Sequence, residues 1–182
     1  MAVASDVSPN TDNLVLATGR LLWKGPGDTD FVHMGEALQA EFTLAVTEKP
    51  HISKLSGKRV QDFSVSEMMS ATFALTLQED TSRNLQLALL AAKDAGPPVR
   101  LDIGANSEIT GALRFVGTND VGPRDQYDFP SCKVTPNAAL NLLSDDWGNI
   151  VLTFKVNWNP TGGLGGTGAF GTCLHNITDE VT

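Results

Sequence analysis

The most constraining feature of this sequence is a strict two-residue alternation of apolar and polar side chains in two long stretches. In residues 36–47 the even positions from Leu38 to Val46 are apolar, and the odd positions from Gln39 to Thr47 are mainly polar. In residues 69–78 the odd positions are apolar, and Ser70, Thr72 and Thr76 lie between them. A β-strand turns successive side chains to opposite faces, so each stretch predicts a long strand with one buried face and one solvated face. On this prediction Leu38, Phe42, Phe73 and Leu75 are buried.

Weaker alternation elsewhere predicts further strands. Three are long, and four are short. The long ones cover 14–24, 108–117 and 150–158, and the short ones cover 31–34, 59–65, 99–103 and 127–134. Residues 137–144 are ambiguous between a helical turn and a strand.

One helix is predicted after the second alternating stretch. Asp80 or Thr81 can cap its N-terminus, and the acidic pair Glu79-Asp80 suits that end of a helix. Leu85, Ala88, Leu89 and Ala92 recur at helical spacing before Gly96-Pro97-Pro98 ends the pattern. Many strands with one helix predict a mainly β fold of two packed antiparallel sheets, in a sandwich or barrel-like arrangement with one flanking α-helix.

The length of 182 residues allows one domain with a substantial core and leaves little room for two. We expect a flexible N-terminal arm over 1–13, a β-domain over 14–160 and a glycine-rich C-terminal tail over 161–182. No stretch approaches the roughly 18 apolar residues of a membrane helix, and the N-terminus lacks the basic and apolar regions of a signal peptide. Cys132 and Cys173 match no metal or redox spacing, which favours assembly in a reducing cytoplasm.

No arrangement typical of an enzyme or cofactor site is present in the sequence. The glycine run at 163–171 matches G-x-G-x-x-G, but no helix pattern follows it, and a dinucleotide site requires one. His33, His51 and His175 have no second ligand at metal spacing. We therefore expect no catalytic residues, no metal and no cofactor, and a structural role instead of enzymatic activity.

The charge distribution argues against a protein that grips nucleic acid. The chain has 13 basic and 21 acidic residues, for a net charge of −8, whereas nucleic-acid binding depends on a basic surplus. The exception is the segment 48–59, which is expected to form a long loop between the two alternating strands. Such a basic projection on an acidic body suits docking onto another copy of the chain. Its candidate contact residues are Lys49, His51, Lys54, Lys58 and Arg59.

An ordered series of short motifs resembles the major tail tube proteins of long-tailed, non-contractile (siphovirus-type) bacteriophages. The resemblance covers about residues 14–158. Its motifs are Gly19–Trp23, Met34-Gly35, Ser56-Gly57, Glu67, Leu77–Leu85, Thr110-Gly111, Phe115–Asn119, Gly122, Lys133–Pro136 and Asp145–Gly148. The resemblance implies a virion protein, assembled in the host cytoplasm, whose hexameric rings stack into a tube for genome ejection. It also implies that the long inter-strand loop reaches the neighbouring ring. The implied partners are further copies of the chain and the tape measure, tail terminator and tail tip proteins, while DNA passes without specific binding and no membrane is involved.

The solvated faces of the two long strands are candidates for the wall of such a channel. If these strands pair, their polar rows lie on one face, and neither row contains a lysine or arginine. The candidate lumen-lining residues are Gln39, Glu41, Thr43, Ser70, Thr72 and Thr76. A wall of this kind gives DNA phosphates no positive charge to bind.

Three other functions are weighed against the tail tube. The inner tube of a contractile tail or secretion system shares the same architecture, and the sequence separates it poorly. A virion receptor- or carbohydrate-binding β-module requires exposed aromatic residues, but Tyr127 is the only tyrosine, and Trp23, Trp147 and Trp158 are expected in the core or in turns. A hydrolase on a β-scaffold ranks third, because no nucleophile–base or carboxylate pair is visible.

Overall fold

The computed structural model describes residues 18–54, 57, 59–94, 96–119, 122–135, 140, 149–162 and 168–177. Within them the chain forms ten strands and one helix, all strand pairs being antiparallel. The elements are β1 (Gly19–Lys24), β2 (Val32–His33), β3 (Ala37–Ser53), β4 (Val60–Leu77), α1 (Ser82–Ala88), β5 (Ala92–Asp94), β6 (Arg100–Asp102), β7 (Thr110–Gly117), β8 (Gln126–Thr135), β9 (Ile150–Val156) and β10 (Thr172–Leu174). The prediction of a mainly β chain with two antiparallel sheets and one helix is confirmed.

The two sheets are unequal. The large sheet has eight strands in the order β2-β1-β7-β8-β9-β4-β3, with β10 paired to β8, and the small sheet is the hairpin β5-β6. Strands β8 and β10 pair over Gln126–Asp128, and β8 pairs with β9 over Cys132–Thr135. One edge of β8 therefore pairs with two strands, and its other edge pairs with β7.

The hydrophobic core lies inside the curve of the large sheet. Trp23 on β1 and Phe154 on β9 contact each other with ring centroids 5.1 Å apart, although β7 and β8 separate their strands in the sheet. Phe129 on β8 contacts both Phe42 on β3 and Phe73 on β4, at 5.0 and 5.5 Å. Contacts between strands so far apart in the sheet require strong curvature, the usual result of strand twist and coiling.

The helix is shorter than the sequence predicts. Thr81 is its N-cap, as expected, and accepts a hydrogen bond from the backbone N–H of Asn84. It ends at Ala88, and Ala92 already belongs to β5, so the predicted continuation to Ala92 is wrong. The buried helix residues are Asn84 and Leu87, and Asn84 Nδ2 donates to the carbonyls of Met34 and Glu79.

Glu79, the first residue of the acidic pair before the helix, has a different role from the predicted one. Glu79 Oε1 accepts a hydrogen bond from the backbone N–H of Glu36 at 2.9 Å, and α1 has no acidic residue in its first turn. Glu79 therefore fastens the start of β3 instead of the helix N-terminus.

The segment predicted as a glycine-rich tail contains an unpredicted strand, β10, that joins the large sheet. Before it, Ala169 forms a β-bridge with Asn159, and Phe170 lies edge-on to Trp158 with centroids 5.1 Å apart. The glycines from 163 to 167, the arm over 1–13 and the ambiguous segment 137–144, apart from Leu140, lie outside the described residues.

Candidate assembly surface

The dominant surface feature is the hairpin of β3 and β4, which extends well beyond the rest of the sheet. Its strands have 17 and 18 residues and stay paired from Ala37↔Leu77 to Ser53↔Val60. The neighbouring strand β9 pairs with β4 only as far as Ala71↔Val156. From Ser70 to Val60 the hairpin therefore projects past β9, and we call residues 47–53 with 60–68 its distal half and the remainder its proximal half.

The length of the hairpin corrects the predicted loop. Residues 48–53 continue β3, and the short strand expected at 59–65 is the beginning of β4. Lys49 and His51 thus lie on β3. Among the described candidates, Lys54 follows the end of β3 and Arg59 precedes the start of β4. Lys58 lies outside the described residues. The contact of these residues with another ring stays a prediction.

Two polar contacts hold the projecting strands together in addition to the backbone ladder. His51 Nδ1 lies 2.7 Å from Asp62 Oδ1, and Ser64 Oγ donates to Glu48 Oε2 at 3.0 Å. The hydrogen bond from His51 lowers the pKa of the Asp62 carboxyl below its usual range.

The hairpin exposes an unusual amount of apolar side chain. Every residue from Leu38 to Ile52 is exposed, so the expectation that Leu38 and Phe42 are buried is wrong: they are 58% and 42% exposed. Phe73 and Leu75 are buried, as predicted. Of the 16 exposed large hydrophobic residues in the described chain, ten lie on these two strands. They are Leu38, Phe42, Leu44, Val46, Ile52, Val60, Phe63, Val65, Met68 and Met69.

The outer edge of β3 adds a second open surface. Strand β3 is the last in the sheet order, and in the described part of the chain its outer edge has no partner strand. A long unpaired edge is a ready template for pairing with another chain, and monomeric proteins usually shorten or cover it. At the opposite end of the sheet, β2 has only two residues.

The six candidate lumen residues lie on one face of the proximal half. Gln39 pairs with Thr76 and Thr43 with Thr72, while Glu41 and Ser70 pair with alanines. Directly paired residues share a face, so the pairing and common face that the sequence predicted are confirmed. That this face lines a channel stays a prediction.

Strand β9 is the third strand of this polar face, and it adds a positive charge that the sequence did not predict there. Lys155 on β9 pairs with Thr72, which places an exposed lysine beside the two rows that contain none. Lys133 on β8 pairs with Lys155 and forms an ion pair with Glu108. The polar face therefore includes both Glu41 and Lys155, and sequence alternation within β3 and β4 could not reveal a residue brought there by β9.

An apolar groove opens where β9 ends and the hairpin leaves the sheet. It has a volume of about 660 Å³ and is lined chiefly by Met69, Ala71, Val156, Trp158 and Phe170. Trp158 is 49% exposed in this groove, whereas Trp23 is buried. Trp147 lies outside the described residues.

The histidines, cysteines and acidic residues outside the hairpin show no arrangement typical of a metal site in the described part of the chain. No group of three or more His, Cys, Asp or Glu residues in the described ranges could hold a metal ion. Cys132 and Cys173 are free thiols, and burial raises the pKa of Cys132 to about 12. His175 Nδ1 lies 2.8 Å from Asp125 Oδ1, and this contact holds the residue after β10 against the start of β8.

No helix among the described residues is long and apolar enough to cross a membrane.

Comparison with known families gives one match. Residues 18–99 are similar to a family described as Protein of unknown function UCP028589. The matched segment contains β1 to β5 and α1, and hence the whole hairpin. No curated protein matches the chain.

Proposed function

We propose that this chain is the major tail tube protein of a long-tailed phage, a structural subunit whose rings stack into the conduit for genome delivery. The observation that carries the proposal is the β3–β4 hairpin, which combines a 17-residue open edge with ten exposed large apolar residues. Such a surface is a liability in a monomer and an asset in a polymer. The ordered motifs that resemble tail tube proteins indicate that this polymer is a phage tail tube.

The energetics favour association. Fully burying a large apolar side chain is worth about 1.5–3 kcal/mol, so each half-exposed residue offers roughly 1 kcal/mol when covered. Covering ten such residues per subunit would gain about 10 kcal/mol, which is comparable with the roughly 4–15 kcal/mol that association costs in lost motional freedom. Backbone pairing along β3 contributes in addition, and a ring of subunits removes every free edge by closing the sheet.

The polar face has a distinct part in this proposal. In a closed ring the face with Thr43 and Thr72 turns inward and forms the wall of the channel. The exposed β3 side chains on the opposite, apolar side, such as Leu44 and Val46, are covered by the neighbouring subunit. The basic residues Lys54 and Arg59 meet an acidic surface of the adjacent ring. The inner tube of a contractile tail would use the same surfaces, so the proposal covers the ring-forming subunit in either tail.

A pair of substitutions at adjacent positions of β3 tests the proposal. Leu44 is 50% exposed on the apolar side, and Thr43 is exposed on the polar side. Leu44→Asp introduces a charge that would be buried between subunits, and we expect it to yield monomers at concentrations where the native chain forms rings. Thr43→Asp places the same charge in an open channel, and rings should persist.

Sedimentation velocity over a range of protein concentration reads out both variants. Far-UV circular dichroism of the same samples confirms that each variant keeps its strands. Equal assembly of the two variants would contradict burial of the Leu44 side between subunits. A native chain that sediments as a monomer at every concentration would contradict the proposed function.

A further inference from the structure

A polar cleft lies between the helix and the β1 end of the large sheet. It has a volume of about 460 Å³, which is within the range of pockets that hold small molecules. Its walls come from the end of β1 with the β1–β2 connection, from α1, from β5 and from the segment that leads into β7. In the described part of the chain no residue of β3 or β4 lines it. A ligand in this cleft would therefore leave the hairpin free.

The cleft has an apolar floor and a charged rim. Its buried lining residues, which we call the floor, are Trp23, Leu87 and Ile109, and they are 1%, 2% and 7% exposed. Arg83 and Lys93 lie on the rim, where Arg83 is partly exposed and Lys93 is exposed. An apolar surface with a few polar groups around it is typical of sites for small organic ligands.

The floor contains a buried hydrogen-bond donor that has no acceptor. A buried indole N–H usually finds a partner. Among the hydrogen bonds of the described residues, none is donated by Trp23 Nε1. This atom lies beside Gly25, which also lines the cleft. The indole N–H is therefore available to an acceptor that enters the cleft.

Gly25 keeps the space beside this N–H open. A Cβ at this position would lie 3.3 Å from Trp23 Nε1 and 3.2 Å from Asp28 Oδ2, closer than ordinary van der Waals contact. The same Asp28 oxygen accepts hydrogen bonds from the backbone N–H of Gly25 at 2.9 Å and from Arg83 Nη1 at 2.6 Å. The free indole N–H and the Arg83 guanidinium are thus held near one point, where only a glycine leaves room for a ligand.

The acidic residues of the cleft have cationic partners. Asp28 is paired with Arg83, and Glu108 is paired with Lys133. Their charges are therefore compensated within the chain, and they offer little attraction to a cationic ligand.

The basic residues of the cleft retain unused donors. Lys93 Nζ donates to Ser82 Oγ at 3.0 Å and has no acidic partner in the described part of the chain. Arg83 uses Nη1 for Asp28, whereas a guanidinium has five N–H donors in all. Together with Trp23 Nε1, these groups form a local excess of donors and of positive charge in a chain whose net charge is −8. The cleft consequently suits a ligand that carries acceptors and a negative charge.

We propose that this cleft is a binding site for a small organic carboxylate. The carboxylate oxygens accept hydrogen bonds from Arg83 and Trp23 Nε1, and Lys93 supplies the uncompensated charge, since an arginine fork matches the geometry of a carboxylate. The apolar part of the ligand covers Leu87 and Ile109 on the floor. The site involves neither the open edge nor the exposed apolar residues of the hairpin, so it does not depend on the proposed function.

Benzoate and its uncharged amide, benzamide, are matched probes for this site. Saturation-transfer difference NMR detects their binding to the native chain whatever its state of assembly. We expect benzoate to bind about tenfold more tightly than benzamide, because only the carboxylate pairs with the charged donors. Inorganic phosphate at the same concentration should not displace benzoate, because it has no apolar part to cover the floor.

Two pairs of variants locate the site. Gly25→Ala should weaken benzoate binding by about tenfold or more, because its methyl group occupies the space beside Trp23 Nε1. The matched control is Gly96→Ala, where a Cβ would meet no atom within 4 Å. Lys93→Gln should weaken binding by about threefold and reduce its dependence on salt. Its control is Lys54→Gln, which makes the same change beside the hairpin.

The inference is overturned if benzoate does not bind, if benzamide binds equally well, or if phosphate displaces benzoate. It is also overturned if Gly25→Ala, folded by circular dichroism, binds benzoate like the native chain. Should Gly25→Ala not fold, unchanged binding by Lys93→Gln is the contradicting result. Rings in the same samples, or their absence, test the proposed function alone.

Discussion

Individual residues determine the character of the proposed channel wall. Glu41 and Lys155 lie on the same polar face, two strands apart, with Thr43 and Thr72 around them. In the described part of the chain Lys133 on this face has an acidic partner in Glu108, and no ion pair is seen for Lys155. The wall therefore has both signs of charge, and its net effect on passing phosphates depends on these residues.

Opposite charge reversals at the two positions test whether this face lines the channel. Glu41→Lys adds a ring of cations at every level of the tube, which attracts phosphate and should slow DNA ejection, most strongly at low salt where screening is weak. Lys155→Glu removes a cation and adds an anion, so ejection should be as fast as in native particles or faster. The measurement is ejection kinetics from particles with intact tails at several salt concentrations.

The matched control for this test is Asp94→Lys, which makes the same charge reversal on an exposed residue of the small sheet. Ejection from that variant should not change. Identical kinetics for Glu41→Lys and native particles at low salt would mean that Glu41 does not face the DNA.

At the scale of elements, local alternation predicted most strands but not their lengths. The proximal halves of β3 and β4 obey a strict two-residue period and were predicted to within a few residues. Residues 48–53 of the distal half were predicted as a loop because Pro50 and the charged residues around it break the pattern, and 59–65 were predicted as a separate short strand. Pairing with β4 overrides this weak local preference, and the irregularities at Asp62 and Glu67 conceal the remaining alternation.

Tertiary contacts explain the other differences between the sequence and the structure. Leu85, Ala88, Leu89 and Ala92 fit a helical period, but Leu90 adopts a positive φ of 46° that ends the helix region. Strand β10 forms because Thr172–Leu174 finds an edge of β8 that β9 leaves open, a partner 44 or more residues away in sequence. Of the candidate site, the polar rows were predictable from alternation, whereas the position of Lys155 beside them depends on the register of β9.

An ion pair joins the helix to the β1–β2 connection and makes its stability pH-dependent. Arg83 Nη1 donates to Asp28 Oδ2 at 2.6 Å, and the backbone N–H of Gly25 donates to the same oxygen at 2.9 Å. The Arg83 hydrogen bond, followed by that of Gly25, lowers the pKa of Asp28 below its ordinary value. Since the folded-state pKa is lowered, this stabilisation is present above about pH 4, the unfolded-state pKa, and is lost as pH falls through the folded-state pKa.

Asp28→Asn should therefore lower the unfolding free energy at pH 7 by about 0.5–1 kcal/mol, because both partners are partly exposed. The difference from the native chain should shrink as the pH falls below 4. Urea unfolding at pH 7, 5 and 3 measures it, and Asp102→Asn, whose Arg100 partner is largely exposed, is the control. A difference that stays constant over this pH range would contradict the role of the Asp28 charge.

At the scale of the whole molecule, the fold is an open, curved sheet with ends of very different character. One end is the two-residue β2, and the other is the 17-residue β3 with its exposed apolar side chains. The core inside the curve is complete without the hairpin tip, since the buried residues on β4 begin only at Ala71. A body with its own core and a hairpin tip that does not pack on it are the properties expected of a polymer subunit.

The most direct test of this account is negative-stain electron microscopy of the purified native chain at increasing concentration. We expect rings of uniform diameter with a central channel, joined into tubes of regular repeat at higher concentration. Leu44→Asp should remove both rings and tubes, and Thr43→Asp should keep them. Isolated particles of monomer size at every concentration would contradict the central claim that this chain is a tube-forming subunit.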